Sequence, residues 1–190
     1  MKFCITGSKG FIGSNFIKLI KKKNFSYKSI TSNSLYRLSG KKKIKGFTHF
    51  LHLSFKRKKT KKNHLENIKQ LKIILEKICQ ETKLIFISSI GVLNKKHEKY
   101  SYYHSKKLCE KEILRKSKNF LIIRFPNVYG YGQKGNFLIP SIVKKLKKKN
   151  RILLDNYQDK RDYLHIEDAI NLINLLAYKK NKIINVNSKN

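Results

Sequence analysis

Acidic residues and cysteines are scarce in this sequence of 190 residues. The chain has 11 Asp and Glu against 45 Lys and Arg, which gives a formal net charge of +34. Its three cysteines, Cys4, Cys79 and Cys109, are an odd number without close spacing, which favours free thiols and a reducing compartment such as the cytoplasm. No Cys or His spacing typical of a metal site occurs, so no metal ion is predicted.

Long apolar runs and linkers are also missing. No stretch approaches the ~20 apolar residues that a membrane span requires, and the first apolar run stops at a glycine-rich turn. Neither a membrane span nor a signal peptide is therefore predicted. The only two prolines, Pro126 and Pro140, lie at predicted element boundaries, and no Pro- or Ser-rich linker divides the chain. One domain over residues 1–190 is predicted.

Short apolar runs alternate with segments of helical periodicity. The predicted strands and helices, in chain order, are strand 3–6, a helix from Phe11, strand 28–32, strand 48–54, helix 63–80, strand 84–89, helix 101–117, strand 120–123, helix 138–149, helix 167–178 and strand 183–187. Alternation of this kind predicts an α/β fold with a Rossmann-like, doubly wound parallel sheet.

A glycine-rich turn joins the first strand to the first helix. Gly7, Gly10 and Gly13 follow the pattern Gly-x-x-Gly-x-x-Gly between the strand and the helix that opens at Phe11. Glycine permits the tight turn and the close approach of a phosphate, while the helix dipole favours anions. The turn therefore predicts a pyrophosphate site, although an ordinary strand-to-helix turn is the alternative.

A second motif suggests proton transfer. Tyr102 and Lys106 are four residues apart, so they share one face of the predicted helix, and the lysine ammonium would favour a phenolate. Ser89 ends a buried strand, where ligands bind in open α/β sheets, and could hydrogen-bond the oxygen that Tyr102 deprotonates. Tyr103 and Lys107 match the same spacing on another face, and a surface pair is the alternative interpretation.

These motifs together resemble the extended short-chain dehydrogenases/reductases of the NAD-dependent epimerase/dehydratase type, which act on nucleotide sugars. The segments that carry the resemblance are 6–13, Thr-Gly-x-x-Gly-x-x-Gly; 48–54, the strand under the cofactor; Asn67 in the next helix; 88–92, Ser-Ser-x-x-Val; 102–110, Tyr-x-x-Ser-Lys-x-x-x-Glu; 124–130, which includes Asn127; and 161–168, which resembles Arg-Asp-Tyr/Phe-x-His-x-x-Asp. The match over 102–110, which includes Ser105 and Glu110, sets the register on Tyr102 rather than on Tyr103.

The resemblance implies a nucleotide-sugar epimerase, dehydratase or reductase. It implies catalytic roles for Ser89, Tyr102 and Lys106, and contacts from Asn127 and Arg161 to the sugar nucleotide. The predicted cofactor-binding residues are Gly7, Gly10, Phe11, Ile12, Gly13, Asn33, Leu53, Tyr102 and Lys106. The family often dimerises through helices that include the one bearing Tyr102, so a homodimer is one expectation.

Several departures from the family pattern bear on cofactor and substrate. No acidic residue stands near Asn33 to bind the ribose 2′-hydroxyl, so the cofactor could be either NAD or NADP. Residues 34–47 are too few for the usual third strand with its helix, and Leu93 replaces a common tyrosine. Family members usually continue beyond the position of Asn190. A reduced substrate-binding lobe, built partly by residues 131–168, is therefore expected.

The lysine excess leaves two other functions open. A basic Rossmann-type protein could bind RNA, yet the lysines are spread over the whole chain rather than gathered in one stripe. Codon bias of an AT-rich genome explains them more simply, and a positive field would attract an anionic sugar nucleotide in either case. A catalytically degenerate NAD(P)-binding protein is the second alternative.

Overall fold

The computed structural model describes residues 1–38, 43–94, 98–135, 137–148, 151, 158 and 160–187. The strands are β1 Lys2–Thr6, β2 Ser26–Ile30, β3 His49–His52, β4 Lys83–Ser89, β5 Phe120–Phe125, β6 Asn127–Tyr129, β7 Tyr163–His165 and β8 Lys182–Asn185. The helices are α1 Phe11–Lys22, α2 Ser32–Tyr36, α3 Lys61–Lys77, α4 Tyr102–Lys116, α5 Leu138–Lys147 and α6 Ile166–Leu176, with a 3-10 turn at Ile90–Leu93.

Six parallel strands form the central sheet in the order β2-β1-β3-β4-β5-β8. The inner strands are continuous apolar runs because helices cover both of their faces. The chain turns to one side after β1 and to the other side at β3, so the crevice between the carboxyl ends of these two strands is the place where such sheets bind ligands. The predicted Rossmann-like α/β class is confirmed.

Apolar side chains pack on both faces of this sheet. One cluster joins Phe3 and Ile85 of the sheet to Phe16 of α1 and Ile173 of α6, all fully buried. The other cluster joins Phe50 and Phe86 to Ile74 of α3 and Ile113 of α4. Helices α1 and α6 therefore form one outer layer, while α3 and α4 form the other. None of the helices in the described ranges combines the length and the apolar character needed to cross a membrane.

The second strand ends earlier than the sequence suggests. Strand 28–32 is predicted, but β2 ends at Ile30 because Thr31 caps a short helix: its hydroxyl accepts a hydrogen bond from the Ser34 amide at 3.1 Å. In the described part of the chain, β2 is the edge of the sheet. Beyond α2, Ile44 makes only an isolated bridge to Ile78.

Two short strands were not predicted. Strands β6 and β7 pair in parallel, with Asn127 opposite Tyr163, and form a small separate sheet next to the crevice. The predicted helix 138–149 is found as Leu138–Lys147, and its last residue lies outside the described residues. Of the proposed lobe 131–168, positions 136, 149–150, 152–157 and 159 also lie outside them.

Candidate active site

A cavity of about 570 Å³ lies at the carboxyl ends of the sheet strands, between the glycine turn, the start of α4 and the start of α5. Eleven of the predicted site residues line it: Gly7, Gly10, Phe11, Ile12, Gly13, Leu53, Ser89, Tyr102, Lys106, Asn127 and Arg161. Asn33 does not. It lies in α2, exposed, because the cap at Thr31 turns this segment into a helix. The sequence therefore predicts correctly that these eleven residues line one cavity. The roles assigned to them remain predictions.

The glycine turn leaves a backbone surface open to the cavity. Gly7 has a φ of +72°, and a Cβ there would lie 2.7 Å from the Ser54 nitrogen; a Cβ on Gly13 would lie 2.2 Å from the Gly7 oxygen. Gly10 caps α1 without any side chain, and no acidic residue occupies the first turn. The first N–H groups of α1 have no intrahelical acceptor and carry the positive end of the helix dipole, so the turn fits a dinucleotide pyrophosphate.

A buried histidine ties the turn to the neighbouring strand. Nδ1 of His52 lies 2.7 Å from the Thr6 hydroxyl, which also accepts from the backbone amides of Leu53 and Ser54 at 3.3 and 3.4 Å. Burial lowers the pKa of His52 to about 3, and burial likewise lowers the pKa of His49 to about 4. Both imidazoles are therefore neutral near pH 7. In the parts of the chain that are described, no group of His, Cys, Asp or Glu could hold a metal ion.

The loop after β3 is folded back by an asparagine of α3. Asn67 accepts a hydrogen bond from the Lys56 amide at 2.9 Å and donates one to the Lys56 carbonyl at 3.0 Å. These two bonds take the place of the strand-to-strand hydrogen bonds, which stop where β3 ends. They fix the loop so that Phe55 and Arg57 line the cavity.

Helix α4 presents the tyrosine and the lysine from its first two turns. The Ser101 hydroxyl caps the helix by accepting from the His104 amide at 3.1 Å. Ser105 is held against α3, since its hydroxyl lies 2.8 Å from Nδ1 of His64. Tyr102 is partly buried, with its ring edge-on to Phe55 at 5.4 Å between centroids.

Lys106 is buried in an aromatic cage. Its Nζ donates to the Ile87 carbonyl at 2.5 Å and lies 3.8 Å from the Phe55 ring and 4.4 Å from the Phe86 ring. The side chain is only 2% exposed, and this burial lowers its pKa to about 7. Near neutral pH the lysine is therefore charged only in part, which weakens its effect on its neighbours.

Burial raises the pKa of Tyr102, and Arg57 works against this effect. The sequence predicts that Lys106 lowers the pKa of Tyr102. In the structure Arg57 is the nearer cation, 4.8 Å from the centre of the phenol ring, whereas Nζ of Lys106 lies 5.6 Å from it. The difference arises because the lysine reaches past the phenol to the Ile87 carbonyl.

Ser89 stands at the end of β4, and its hydroxyl proton has no acceptor among the described residues. Its oxygen accepts from the Gly91 amide at 3.3 Å as the cap of the 3-10 turn. Its proton is therefore available to an oxygen atom in the cavity. The neighbouring Ser88 hydroxyl also lines the cavity, and it is buried without a hydrogen-bond partner among the described residues.

The far wall of the cavity comes from the segments around β6 and β7. Asn127 is tied to Asp162, whose carbonyl accepts from the Asn127 backbone at 3.2 Å and from its side-chain amide at 3.3 Å. Arg161 and Lys134 add positive charge to this wall. Since no Asp or Glu is among the lining residues, the described cavity is electrostatically suited to an anionic ligand.

The sequence model of the NAD dependent epimerase/dehydratase family matches residues 66–187. This chain belongs to that family. Its members are enzymes, and the matched region contains most of α3, the strand bearing Ser89, the tyrosine helix and the far wall of the cavity.

Known proteins of similar sequence or fold agree with this membership. The chain is 28% identical to a GDP-6-deoxy-D-talose 4-dehydrogenase of Aggregatibacter actinomycetemcomitans, over 98% of this chain and 74% of the relative. Its fold is similar to a UDP-glucose 4-epimerase of Thermotoga maritima (TM-score 0.76, 18% identity, 99% and 77% of the two chains). It is also similar to a dTDP-glucose 4,6-dehydratase of Bacillus anthracis, solved with NAD (TM-score 0.75, 19% identity, 100% and 76%).

Arg57 and Phe137 are among the cavity residues that were missed from the sequence. Arg57 lies in a run of lysines, and Phe137 is distant in the sequence from Tyr102, although the rings of Tyr102 and Phe137 both contact the Arg57 guanidinium. A charge run by itself indicates a solvated loop, so nothing in the local pattern separates Arg57 from Lys58. Contacts made in the folded chain set the direction of this loop, among them the hydrogen bonds of Asn67 to the Lys56 backbone.

Proposed function

We propose that this chain binds NAD or NADP and oxidises or reduces a sugar carried on a nucleoside diphosphate, as an epimerase, dehydratase or reductase. The observation that carries the proposal is that the glycine turn, Ser89, Tyr102 and Lys106 line one cavity whose described lining contains no acid. Family membership and the nucleotide-sugar enzymes among its relatives support it.

Tyr102 is the proposed base. It removes the proton of a sugar hydroxyl, and Ser89 donates a hydrogen bond that holds the same oxygen in place. A bound nicotinamide dinucleotide would supply the hydride acceptor and a further positive charge. Lys106 is proposed to hold the ribose and to lower the pKa of Tyr102 once the site is filled.

Binding of the two diphosphates is assigned to opposite walls. Gly7, Gly10 and Gly13, with the first N–H groups of α1, bind the pyrophosphate of the cofactor. Asn127 and Arg161 contact the sugar nucleotide, and residues 131–168 contribute a reduced lobe to its side of the cavity. A homodimer stays a prediction.

The sharpest test replaces Tyr102 by phenylalanine. The variant keeps the ring that packs on Phe55 but loses the hydroxyl, so we expect turnover to fall at least ~100-fold while NAD binding survives. Titration with NAD and NADP measures binding. A panel of UDP-, GDP- and dTDP-hexoses, followed by absorbance of the reduced nicotinamide and by product analysis, measures turnover.

The matched control is Tyr178→Phe, because this tyrosine is 68% exposed and does not line the cavity. It should behave as the unchanged protein in both assays. Equal turnover by Tyr102→Phe would remove the proposed base. NAD(P) binding without turnover of any sugar would indicate a degenerate cofactor-binding protein, and RNA binding that weakens steeply with salt, in place of dinucleotide binding, would indicate a nucleic-acid protein.

A further inference from the structure

Arg57 lies between two aromatic rings at the mouth of the cavity. Its Cζ is 4.8 Å from the centre of the Tyr102 ring and 5.0 Å from the centre of the Phe137 ring. A guanidinium placed between two rings is held by cation–π attraction on both sides, so the side chain is confined although the residue is exposed. The contact also links the catalytic helix α4 to the residue that precedes α5.

The charge of Arg57 is not neutralised by a carboxylate among the described residues. The ion pairs of the neighbouring loop are made by other cations, Lys56 with Glu66 and Lys59 with Glu98. The charged and titratable groups that face Tyr102 are Arg57 from the loop after β3 and Tyr103 and Lys106 from its own helix. Lys134 and Arg161 line the same cavity on its far wall. An anion that forms on Tyr102 therefore meets an uncompensated cation at close range.

Lys106 is less able than Arg57 to stabilise an anion on Tyr102. Its ammonium is directed at the Ile87 carbonyl and lies farther from the phenol ring than the guanidinium does. The lysine is also desolvated by Phe55 and Phe86, which favours its neutral form, whereas an arginine stays charged at every pH of interest.

We propose that Arg57 is a positioning residue that stabilises the phenolate of Tyr102 and thereby prepares this tyrosine to act as a base. The inference rests on the proposed function only in giving Tyr102 that role. A positive charge 4–6 Å from an ionisable group favours its anionic form by about one to three pKa units in general. Because Arg57 is partly open to solvent, its effect is expected near the lower end and should weaken with added salt.

The first measurement follows the phenolate itself and requires no substrate. The alkaline absorbance titration of the Tyr102→Phe variant is subtracted from that of the unchanged protein, which isolates Tyr102 among the ten tyrosines of the chain. The same pair is then measured on an Arg57→Gln background. We expect Tyr102 to ionise at higher pH when Arg57 is replaced, and we expect added salt to reduce the difference between the backgrounds.

Two further variants separate charge from structure. Arg57→Lys keeps the charge and should restore most of the shift. Lys58→Gln removes a neighbouring exposed cation of the same loop that does not line the cavity, and should leave the titration of Tyr102 unchanged. An unchanged titration in Arg57→Gln, or an equal shift in Lys58→Gln, overturns the proposal.

The second measurement is the pH profile of turnover. In Arg57→Gln the rise of turnover with pH should move to more alkaline pH, so that activity falls about tenfold near pH 7 and recovers as the pH is raised. Loss of activity by the same factor at every pH would instead indicate a structural role and overturn the proposal. A shifted titration together with no turnover of any sugar nucleotide would sustain the role of Arg57 while removing the proposed function.

Discussion

Two glycines of the same turn are expected to respond differently to one methyl group. A Cβ on Gly13 would lie 2.2 Å from the Gly7 oxygen and 2.9 Å from the Ser8 Cα, both of them backbone atoms. A Cβ on Gly10 would meet only the Gly7 oxygen, at 3.1 Å, and would otherwise project from an exposed position at the cavity. Gly13 is therefore required by the fold, whereas any requirement for glycine at position 10 would come from the proposed ligand.

We predict that Gly13→Ala lowers the free energy of unfolding by about 2 kcal/mol or more, because overpacked backbone cannot move away cheaply. The free energy of unfolding of Gly10→Ala should lie within about 1 kcal/mol of that of the unchanged protein. The variant should nevertheless bind NAD at least ~10-fold more weakly, since the methyl group stands where a phosphate would approach. Urea denaturation and NAD titration measure the two quantities. Unchanged NAD affinity in Gly10→Ala would contradict a phosphate site at this turn.

At the scale of elements, a largely buried ion pair fastens helix α4 to the sheet. Arg124 of β5 donates to Glu110 of α4 through Nε at 3.0 Å and through Nη2 at 2.6 Å, and the two side chains are 16% and 4% exposed. The pairing raises the pKa of Arg124. Glu110 lies one helical turn beyond Lys106, so this pair helps to set the height of the lysine above the sheet.

Glu110→Gln should destabilise the fold by about 2 kcal/mol, because it removes the charge that pairs with a partly buried guanidinium. The matched control on the same helix is Glu112→Gln, whose partners Arg115 and Lys116 lie at the surface and which should cost less than about 1 kcal/mol. Urea denaturation of both variants gives the comparison. Equal losses in the two variants would show that the buried pair adds nothing beyond a surface one.

The elements that could be predicted from sequence are those with a long local pattern. Helices α1, α3 and α4 and the buried strands of the sheet have apolar periodicity over many residues. Strands β6 and β7 are three residues long, and each pairs with a strand 36 residues away in the sequence, so no local signal could show them. The same reason explains why Arg57 was missed. The direction of its side chain depends on Asn67 and Phe137, which come near it only in the folded chain.

At the scale of the whole molecule, the fold carries far more positive charge than its ion pairs can compensate. Even if each of the 11 acids paired with one of the 45 basic residues, 34 cations would have no partner. Lysines occur on both outer layers and in most loops, so the charges repel one another throughout the compact state more than in the expanded chain. The uncompensated charge therefore acts against folding, and salt should relieve it.

We predict that added NaCl raises the free energy of unfolding in urea by about 1 kcal/mol or more, with most of the gain complete by ~0.2 M. The Debye length falls from about 30 Å at 0.01 M to about 10 Å at 0.1 M, which is short enough to screen charges on opposite faces. Binding of chloride at the glycine turn would also stabilise the fold, and Gly10→Ala distinguishes the two causes. Screening predicts that salt raises the free energy of unfolding of this variant as much as that of the unchanged protein, whereas anion binding predicts a smaller rise. A free energy of unfolding that stays constant or falls with salt would show that self-repulsion does not limit this fold.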